Sequence, residues 1–599
     1  MQAVYNIAEI CARHGLTDVV LSPGSRSAPL TIAFARHPAF VGKVKVIPDE
    51  RAAAFIALGI AQATRRPVVL VCTSGSAGLN YAPAVAEAFF QQVPLLILTA
   101  DRPPEWIDQL DGQTIRQQNL YGCHAKGSFD FPVNTTHPDE KWFSERIINE
   151  AINLSQAAPA GPVQVNVPLR EPFYPKAGEE ITFDRNVKII QEIPGKITPV
   201  TSELKSLAEE FIKAERILFV FGQQSSTKAT LFIQENAGDV PDEPYLPPGT
   251  VVIGDAISNI VLWSGSADQW NDGCANHDVF LAGLSKEEKL SLQPDLLITC
   301  GLSLISKSLK QLLRDYPARQ HWHLQPTGEV ADTFRQLTRI VRAEPGEFLS
   351  SLSQAHPLFK QKIAERMEAR LAYVKHWQYF EQKASDFLRD EFGSRNKSGK
   401  VFNEFSAAHR ALGILPLNTA LHLANSMAVR YANILRFPPG RQIEVFANRG
   451  TSGIDGCTST AVGYALAQPE RPVVLLTGDV AFFYDRNAFW HNYPLPNLRV
   501  VLFNNHGGGI FRIIDGPRQQ PELDEFFETR QALTAENTCR DFEMRYFPVA
   551  DFAGLEVALP AFFAAETGAA VLEVFTDSRT NAAFFEEYRA AIKAYFAQS

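Results

Sequence analysis

TGDVAFFYDRN, residues 477 to 487, and NNHGGGIF, residues 504 to 511, each follow a short apolar run, VVLL in the first case and VVLF in the second. Such runs, ending abruptly in small and polar residues, mark strands covered on both faces. Gly478 and Asp479 close one strand, Asn504 and Asn505 close the other, and 505 − 479 = 26 positions suffice for one crossover helix and a neighbouring parallel strand. Asp479 and Asn505 are therefore expected side by side at the carboxyl edge of a sheet. A carboxylate, an amide oxygen and the Gly507 carbonyl are hard oxygen donors suited to Mg²⁺ or Ca²⁺, with a diphosphate and water completing the shell. A helix beginning near Val480 is expected to point free N–H groups at the same place, which favours a phosphate. Glycines 507 to 509 permit a tight turn and close approach of the backbone. Ile510 follows as a stiff, β-branched wedge.

Working outward, residues 66 to 103 and 471 to 508 have the same outline of strand, small-residue turn, helix and strand. The pieces just upstream, DERAAAFIALGIAQAT and GIDGCTSTAVGYALAQ, also align. Any two strand–helix–strand units share that outline, so a duplicated domain is an expectation for the fold to meet. If it holds, a ligand site lies between the first and third domains at the carboxyl ends of their strands. Further apolar runs, VVLVC, LLIL, ILFVF and LLITC, alternate with helical patterns, which predicts parallel, doubly wound α/β sheets. Polar or proline-rich breaks near 175–200 and 344–358, the second before a long charged helix at about 357–392, divide the chain into 1–180, 195–350 and 357–599.

The 599 residues carry 57 basic and 66 acidic side chains, a net charge of −9 that argues against nucleic acid or an anionic membrane as the main partner. Seven cysteines, odd in number and with no C-x-x-C pair, indicate neither a disulfide framework nor a zinc site. A reducing cytoplasm suits them. No run approaches the ~18 apolar residues of a membrane span, and the first residues, MQAVYNIAEICARHG, lack a signal-peptide core.

G-D followed by N-N after one crossover resembles the fingerprint of thiamin diphosphate (ThDP) enzymes, and the three-domain plan resembles their decarboxylase type. In that type a pyrimidine-binding (PYR) domain comes first and a diphosphate-binding (PP) domain of the same fold comes last. The resemblance implies ThDP with Mg²⁺ or Mn²⁺ as cofactors. It implies a metal held by Asp479, Asn505 and Gly507, and cofactor contacts from Gly478, Ser426 and Ile510 as well. It also requires a glutamate early in the first domain, and Glu50 in PDERAAAFIALGIA answers. Its implied role is a hydrogen bond to the aminopyrimidine N1′ that favours the imino tautomer, whose nitrogen takes the proton from C2. Read alone, Glu50 also suits the start of a helix as a dipole-favoured charge.

SPGSRSAPL (22–30), TADRPPE (99–105), QTIRQ (113–117) and NRGTSGIDG (448–456) together resemble the 2-succinyl-5-enolpyruvyl-6-hydroxy-3-cyclohexene-1-carboxylate synthases of menaquinone biosynthesis. Those enzymes join 2-oxoglutarate, with loss of CO₂, to isochorismate. Two dicarboxylates call for cations, above all the planar fork of arginine, and Arg26, Arg102, Arg430 and Arg449 fall in or beside these motifs. Ser25 and Gln113 are expected to add neutral hydrogen bonds, and Phe511 to line the acceptor pocket. Ser426 and Arg430, four apart, share a helical face if a helix starts there. Lys307, in GLSLISKSLKQLL, matches a basic residue of the middle domain, but Ser308 stands where many members have arginine. The resemblance further implies a homo-oligomer, dimer or tetramer, with the site between subunits. Another ThDP carboligase or 2-oxoacid decarboxylase, such as an acetohydroxyacid synthase, would share Glu50, Asp479 and Asn505 without needing so many arginines. A binding or scaffold protein would have lost one of those three, and no strand leads into the G-x-G-x-x-G of a pyridine-nucleotide enzyme.

Overall fold

The computed structural model describes residues 1–598 except 177, 225–229, 234–244, 264–269, 272, 394–400, 439 and 565–567, and every candidate site residue lies among those described. Strands β1 (Val19–Leu21), β2 (Val44–Val46), β3 (Val68–Cys72), β4 (Leu95–Asp101), β5 (Gly127–Asp130) and β6 (Pro162–Pro168) form a parallel sheet in the order β2-β1-β3-β4-β6-β5. A second parallel sheet has β7 (Ile217–Phe221), β8 (Thr250–Gly254), β9 (Leu296–Cys300), β10 (Gln320–Leu324) and β11 (Arg339–Val341) in the order β8-β7-β9-β10-β11, beside a smaller four-stranded sheet. The third holds β12 (Ala420–Leu423), β13 (Glu444–Ala447), β14 (Val473–Gly478), β15 (Leu498–Asn504), β16 (Arg545–Val549) and β17 (Ala570–Phe575), ordered β13-β12-β14-β15-β17-β16. That order repeats the first sheet strand for strand. The two aligned segments fall on β3–β4 and β14–β15, so the chain holds three α/β sheets of which the first and last are alike. Every residue of β3 and β4 is buried, as strands covered by helices on both faces must be.

The helices that matter here are α1 (Glu50–Thr64), α2 (Ala82–Gln91), α3 (Lys307–Asp315), α4 (Phe359–Glu365), α5 (Met367–Gly393), α6 (Glu404–Gly413), α7 (Met427–Leu435) and α8 (Cys457–Ala467). Asp49 caps α1, its side chain accepting the Ala52 N–H at 3.0 Å. The equivalent helices α1 and α8 pack on one another. Their contact is backbone to backbone: a Cβ on Gly59 would lie 2.0 Å from the Thr460 carbonyl oxygen, and one on Gly463 would lie 2.0 Å from that of Ile56. Through this crossing Leu70 and Ile97 of the first sheet share a continuous core with Ala461 of α8 and with Leu475 and Val500 of the third sheet.

The long charged helix expected over 357–392 is two helices, α4 and α5, parted at Arg366. Its apolar face turns inward: Tyr373 and Trp377 are buried, and α5 packs on β8 and on the helix His277–Gly283 of the middle region. Among the described residues no helix is long and apolar enough to cross a membrane.

Candidate active site

Gly478 of β14 pairs with Phe503 of β15, so Asp479 and Asn505 leave the same edge of the third sheet. β12 and β14, where the strand order reverses, end beside them, which is where open α/β sheets place their ligands. A cavity of about 200 Å³ opens there, lined among others by Glu404, Ser426, Asp479, Asn505, Gly507 and Ile510.

Asp479 is only 2% exposed. Its Oδ1 accepts the Val480 N–H (2.8 Å), and its Oδ2 accepts the Gly507 N–H (2.8 Å) and the Gln531 side-chain amide (3.0 Å). Burial pushes its carboxyl up to about 6. Asn505 donates its Nδ2 to Glu404 at 2.6 Å. In its ionised form Glu404 only accepts, which suits the amide with its nitrogen toward Glu404 and its Oδ1 pointing away. That oxygen is buried and has no hydrogen-bond partner among the described residues. Glu404 also accepts from Tyr431 (3.0 Å) and Thr576 (3.4 Å), yet burial, reinforced by the charge of Asp479, pushes its carboxyl up to about 7. Two crowded buried carboxyls beside an orphaned amide oxygen are what a divalent cation relieves, so the donor set fits such an ion. The Gly507 carbonyl accepts one N–H, from Gly509 at 3.0 Å, and keeps a second lone pair.

Several expectations need amendment. The crossover between Asp479 and Asn505 is a six-residue helix, α9 (Asp479–Tyr484), and a 3-10 turn over Arg486–Phe489. The helix begins at Asp479, whose own carboxylate takes the first amide, so α9 is a poorer phosphate cradle than the sequence implies. The first turn of the nine-residue α7 offers an alternative: Ser426, Met427 and Ala428 line the cavity, and the Ser426 side chain caps nothing. Ser426 precedes α7 with φ of +73°, a strained setting for a non-glycine residue, and does not share a helical face with Arg430. The two meet differently, with the Arg430 guanidinium donating to the Ser426 carbonyl. In the glycine loop the left-handed residue is His506 (φ +65°), and the glycines serve close approach. A Cβ on Gly507 would sit 2.7 Å from the Glu528 carbonyl, and one on Gly509 would sit 2.8 Å from Asn505 Nδ2. Ile510 then opens the one-turn helix α10 (Ile510–Ile513), half buried, with Phe511 beside it on the cavity wall.

Glu50 is half buried at the first position of α1, with Asn80 Nδ2 at 3.5 Å. It does not line the cavity of Asp479. Its neighbours Asp49 and Arg51 bond Asn487 (2.7 Å), beyond α9, and the carbonyl of Tyr484 (3.0 Å), the last residue of α9.

The basic residues fall into two groups. Arg26 lies over the Phe173 ring at 4.5 Å, and burial and the neighbouring Arg102 lower its pKa. Arg102 donates to Ser74 (3.1 Å) and the Gln113 carbonyl (3.3 Å) and pairs with Asp111, while Ser25 and Gln113 are exposed close by in sequence. In the second group burial lowers the pKa of Arg430, and the charge of Arg449 adds to the effect. Arg449 donates to Asn425 Oδ1 at 3.0 Å, and its buried Nε has no partner among the described residues. Lys307 is exposed at the head of α3. Lys310, one turn on, is half buried, bonds the Leu304 carbonyl at 3.1 Å and lies in the field of Arg449 and Arg430, so it is the lysine of α3 that joins this group.

Glu404, Gln531 and Lys310 are not marked by any motif. Glu404 reads as an ordinary first-turn acid behind its cap Asn403, and Gln531 lies in a stretch without pattern.

A doubled parallel sheet whose last copy presents Asp479, Asn505 and Gly507 to a cavity at its switch point defines a thiamin diphosphate enzyme. Residues 1–120 match the family described as thiamine pyrophosphate enzyme, N-terminal TPP binding domain, and residues 426–574 match its C-terminal TPP binding domain. A benzoylformate decarboxylase from Polynucleobacter necessarius has the same fold, with a TM-score of 0.65 over 96% of this chain and 99% of that one at 14% identity. The chain is 45% identical, over 99% of each sequence, to the 2-succinyl-5-enolpyruvyl-6-hydroxy-3-cyclohexene-1-carboxylate synthase of Cytophaga hutchinsonii. It is 36% identical, over 97% of each, to that of Flavobacterium johnsoniae. The protein belongs to the 2-succinyl-5-enolpyruvyl-6-hydroxy-3-cyclohexene-1-carboxylate synthase family.

Proposed function

We propose that the protein is a cytoplasmic enzyme of menaquinone biosynthesis that decarboxylates 2-oxoglutarate and adds the remaining four-carbon unit 1,4 to isochorismate. The products are 2-succinyl-5-enolpyruvyl-6-hydroxy-3-cyclohexene-1-carboxylate and CO₂. One observation carries the reading: the orphaned Asn505 oxygen beside Asp479, in a chain 45% identical to such a synthase along its whole length. Bound ThDP supplies the electron sink that lets CO₂ leave a 2-oxo acid.

The chain's own residues do the rest. Asp479, the Asn505 Oδ1 and the Gly507 carbonyl hold Mg²⁺ or Mn²⁺, Glu404 and Gln531 keep the first two in orientation, and the opening amides of α7 receive the diphosphate. Gly478 borders the cavity with open space on its Cα, and Ile510 and Phe511, on the same wall, would contact the cofactor and the acceptor. Glu50 bonds the aminopyrimidine N1′ and governs its proton. Because Glu50 does not line the Asp479 cavity of its own chain, the Glu50 of a second subunit supplies this group, and the active unit is a homodimer or a homotetramer. Arg26 and Arg102 from one side, and Arg430, Arg449 and Lys310 from the other, gather the substrate carboxylates, Ser25 and Gln113 adding neutral bonds. Lys310 supplies the charge that Ser308 lacks, with the exposed Lys307 at the rim.

Measuring CO₂ release from 2-oxoglutarate with ThDP and Mg²⁺, with and without isochorismate, tests this. Turnover of 2-oxoglutarate that rises with isochorismate is expected. A preference for pyruvate would overturn the substrate assignment in favour of an acetohydroxyacid synthase-like activity.

A further inference from the structure

Glu87 is a charged residue without an evident reason for its position. It lies on α2, beside the first sheet, and is 1% exposed. No cation pairs with it among the described ion pairs. Its carboxylate instead crosses to the loop that follows β13 in the third sheet. Oε1 accepts the Gly450 N–H at 2.7 Å, and Oε2 accepts the Thr451 N–H at 2.7 Å and the Thr451 hydroxyl at 2.5 Å. Gln91, one turn along α2, donates to Oε1 at 2.5 Å and so holds the carboxylate from behind. The glycine at 450 is required by this embrace, since a Cβ there would lie 2.8 Å from the Glu87 carbonyl oxygen and 3.0 Å from Oε1.

The two captured amides are those immediately after Arg449. On the other side of the loop Asn425 donates to the carbonyls of Asn448 (2.7 Å) and Gly453 (2.6 Å) and accepts the Arg449 Nη1 at 3.0 Å. Arg449 is thus pinned by its guanidinium on one side and by the following peptide units on the other, while its buried Nε lacks a partner among the described residues. A buried carboxylate gains strong, charge-assisted bonds from consecutive N–H groups, and these fix the direction of the chain between them. A guanidinium binds a carboxylate through two parallel bonds, so a small rotation of its stem loses one of them.

We propose that Glu87 is the positioning residue for Arg449, holding from the first domain the loop that aims this guanidinium at a substrate carboxylate. The inference rests on the assignment of Arg449 as a substrate ligand made above.

The test uses the full-length enzyme loaded with ThDP and Mg²⁺. In Glu87→Gln one acceptor becomes an N–H donor facing an amide donor, so one arm of the clasp is lost. Hydrogen exchange at Gly450 and Thr451 is expected to quicken about tenfold or more. KM for whichever of 2-oxoglutarate and isochorismate Arg449 binds is expected to rise about tenfold to a hundredfold, with kcat within about threefold of the parent. Placed on Arg449→Ala, Glu87→Gln should then add no further loss, because both changes act through one contact. Glu87→Asp, which keeps the charge and draws it back by one methylene, gives the same series in milder form and serves if the glutamine variant folds poorly. Losses that multiply in the double variant, or a fall in kcat tracking only the folded fraction, would overturn the proposal. A parent enzyme inactive on 2-oxoglutarate would instead refute the functional assignment, and the exchange measurement would still report on the clasp.

Discussion

Asn504 and Asn505 are adjacent and chemically identical, yet their surroundings assign them different tasks. Asn504 spends its amide inside the fold, donating to the Leu533 carbonyl (3.0 Å) and Glu573 (2.7 Å) and accepting the His506 N–H (3.0 Å). Asn505 has its nitrogen tied to Glu404 and its oxygen left over. The Asp479 carboxylate and this oxygen are the two side-chain donors a cation would use, so Asp479→Ala should remove the stabilisation that Mg²⁺ with ThDP gives the parent. That stabilisation amounts to about 2.7 kcal/mol at a hundredfold excess over Kd, read as a shift in thermal midpoint with and without cofactor. The positions of Asp479, Asn505, Gly507 and Ile510 are legible from spacing along two strands. Their supports are not, because Glu404 and Gln531 reach them from 101 and 52 residues away out of locally ordinary sequence. Away from the site, His422 on β12 is buried against the Phe446 ring, and burial lowers its pKa to about 3. Above pH ~6.5 neither folded nor unfolded chain protonates this ring. Between about 6.5 and 3 only the unfolded chain binds the proton, so stability falls with falling pH by up to about 1.4 kcal/mol per unit. His422→Phe, which keeps a flat ring, should therefore gain on the parent as pH is lowered from 6.5 to 4.5 in denaturant titrations, and an unchanged difference would rule out the linkage.

The elements join where α1 meets α8. Alignment of DERAAAFIALGIAQAT with GIDGCTSTAVGYALAQ makes these helices equivalent, but not partners. Partnership depends on Gly59 and Gly463 each lying against the other helix's carbonyl, which no local pattern encodes. At an exposed helical position glycine to alanine gains ~1 kcal/mol in propensity. Here the added methyl would press on backbone, which cannot rotate away, so Gly59→Ala and Gly463→Ala should each lose about 1–3 kcal/mol net in chemical denaturation. The double variant should cost less than their sum, because separating the helices once accommodates both methyls. Stability equal to the parent in either single variant would show that the crossing is looser than the carbonyl contacts imply. The division of the charged segment into α4 and α5 has a similar lesson: charge and period predict helix there, whereas the break at Arg366 follows from Phe359 and Ile363 of α4 and Tyr373 and Trp377 of α5 entering different cores.

At the scale of the whole molecule, the crossing that unites the first and third sheets in one chain leaves that chain's Glu50 outside the lining of its own Asp479 cavity, with Asp49 and Arg51 bound to Asn487 and to the last carbonyl of α9. In the homodimer proposed above, symmetric pairing would bring the Glu50 of each chain to the Asp479 of the other, and an isologous dimer would form both such sites at once. This makes a mixing experiment decisive. Glu50→Gln removes the carboxylate proposed to govern the pyrimidine proton and, with only a 3.5 Å contact to Asn80 to lose, should leave the fold intact and turnover abolished. Asp479→Ala should be inactive for want of cofactor. In a dimer of one Glu50→Gln and one Asp479→Ala subunit, isolated through two different affinity tags, one site carries both changes and the other carries neither. About half the parental activity per dimer should therefore return from two inactive proteins. A site built within a single chain would leave every mixed dimer with two damaged sites, and persistent inactivity of the purified hybrid, with ThDP and Mg²⁺ present in excess, would place Glu50 and Asp479 in the same subunit.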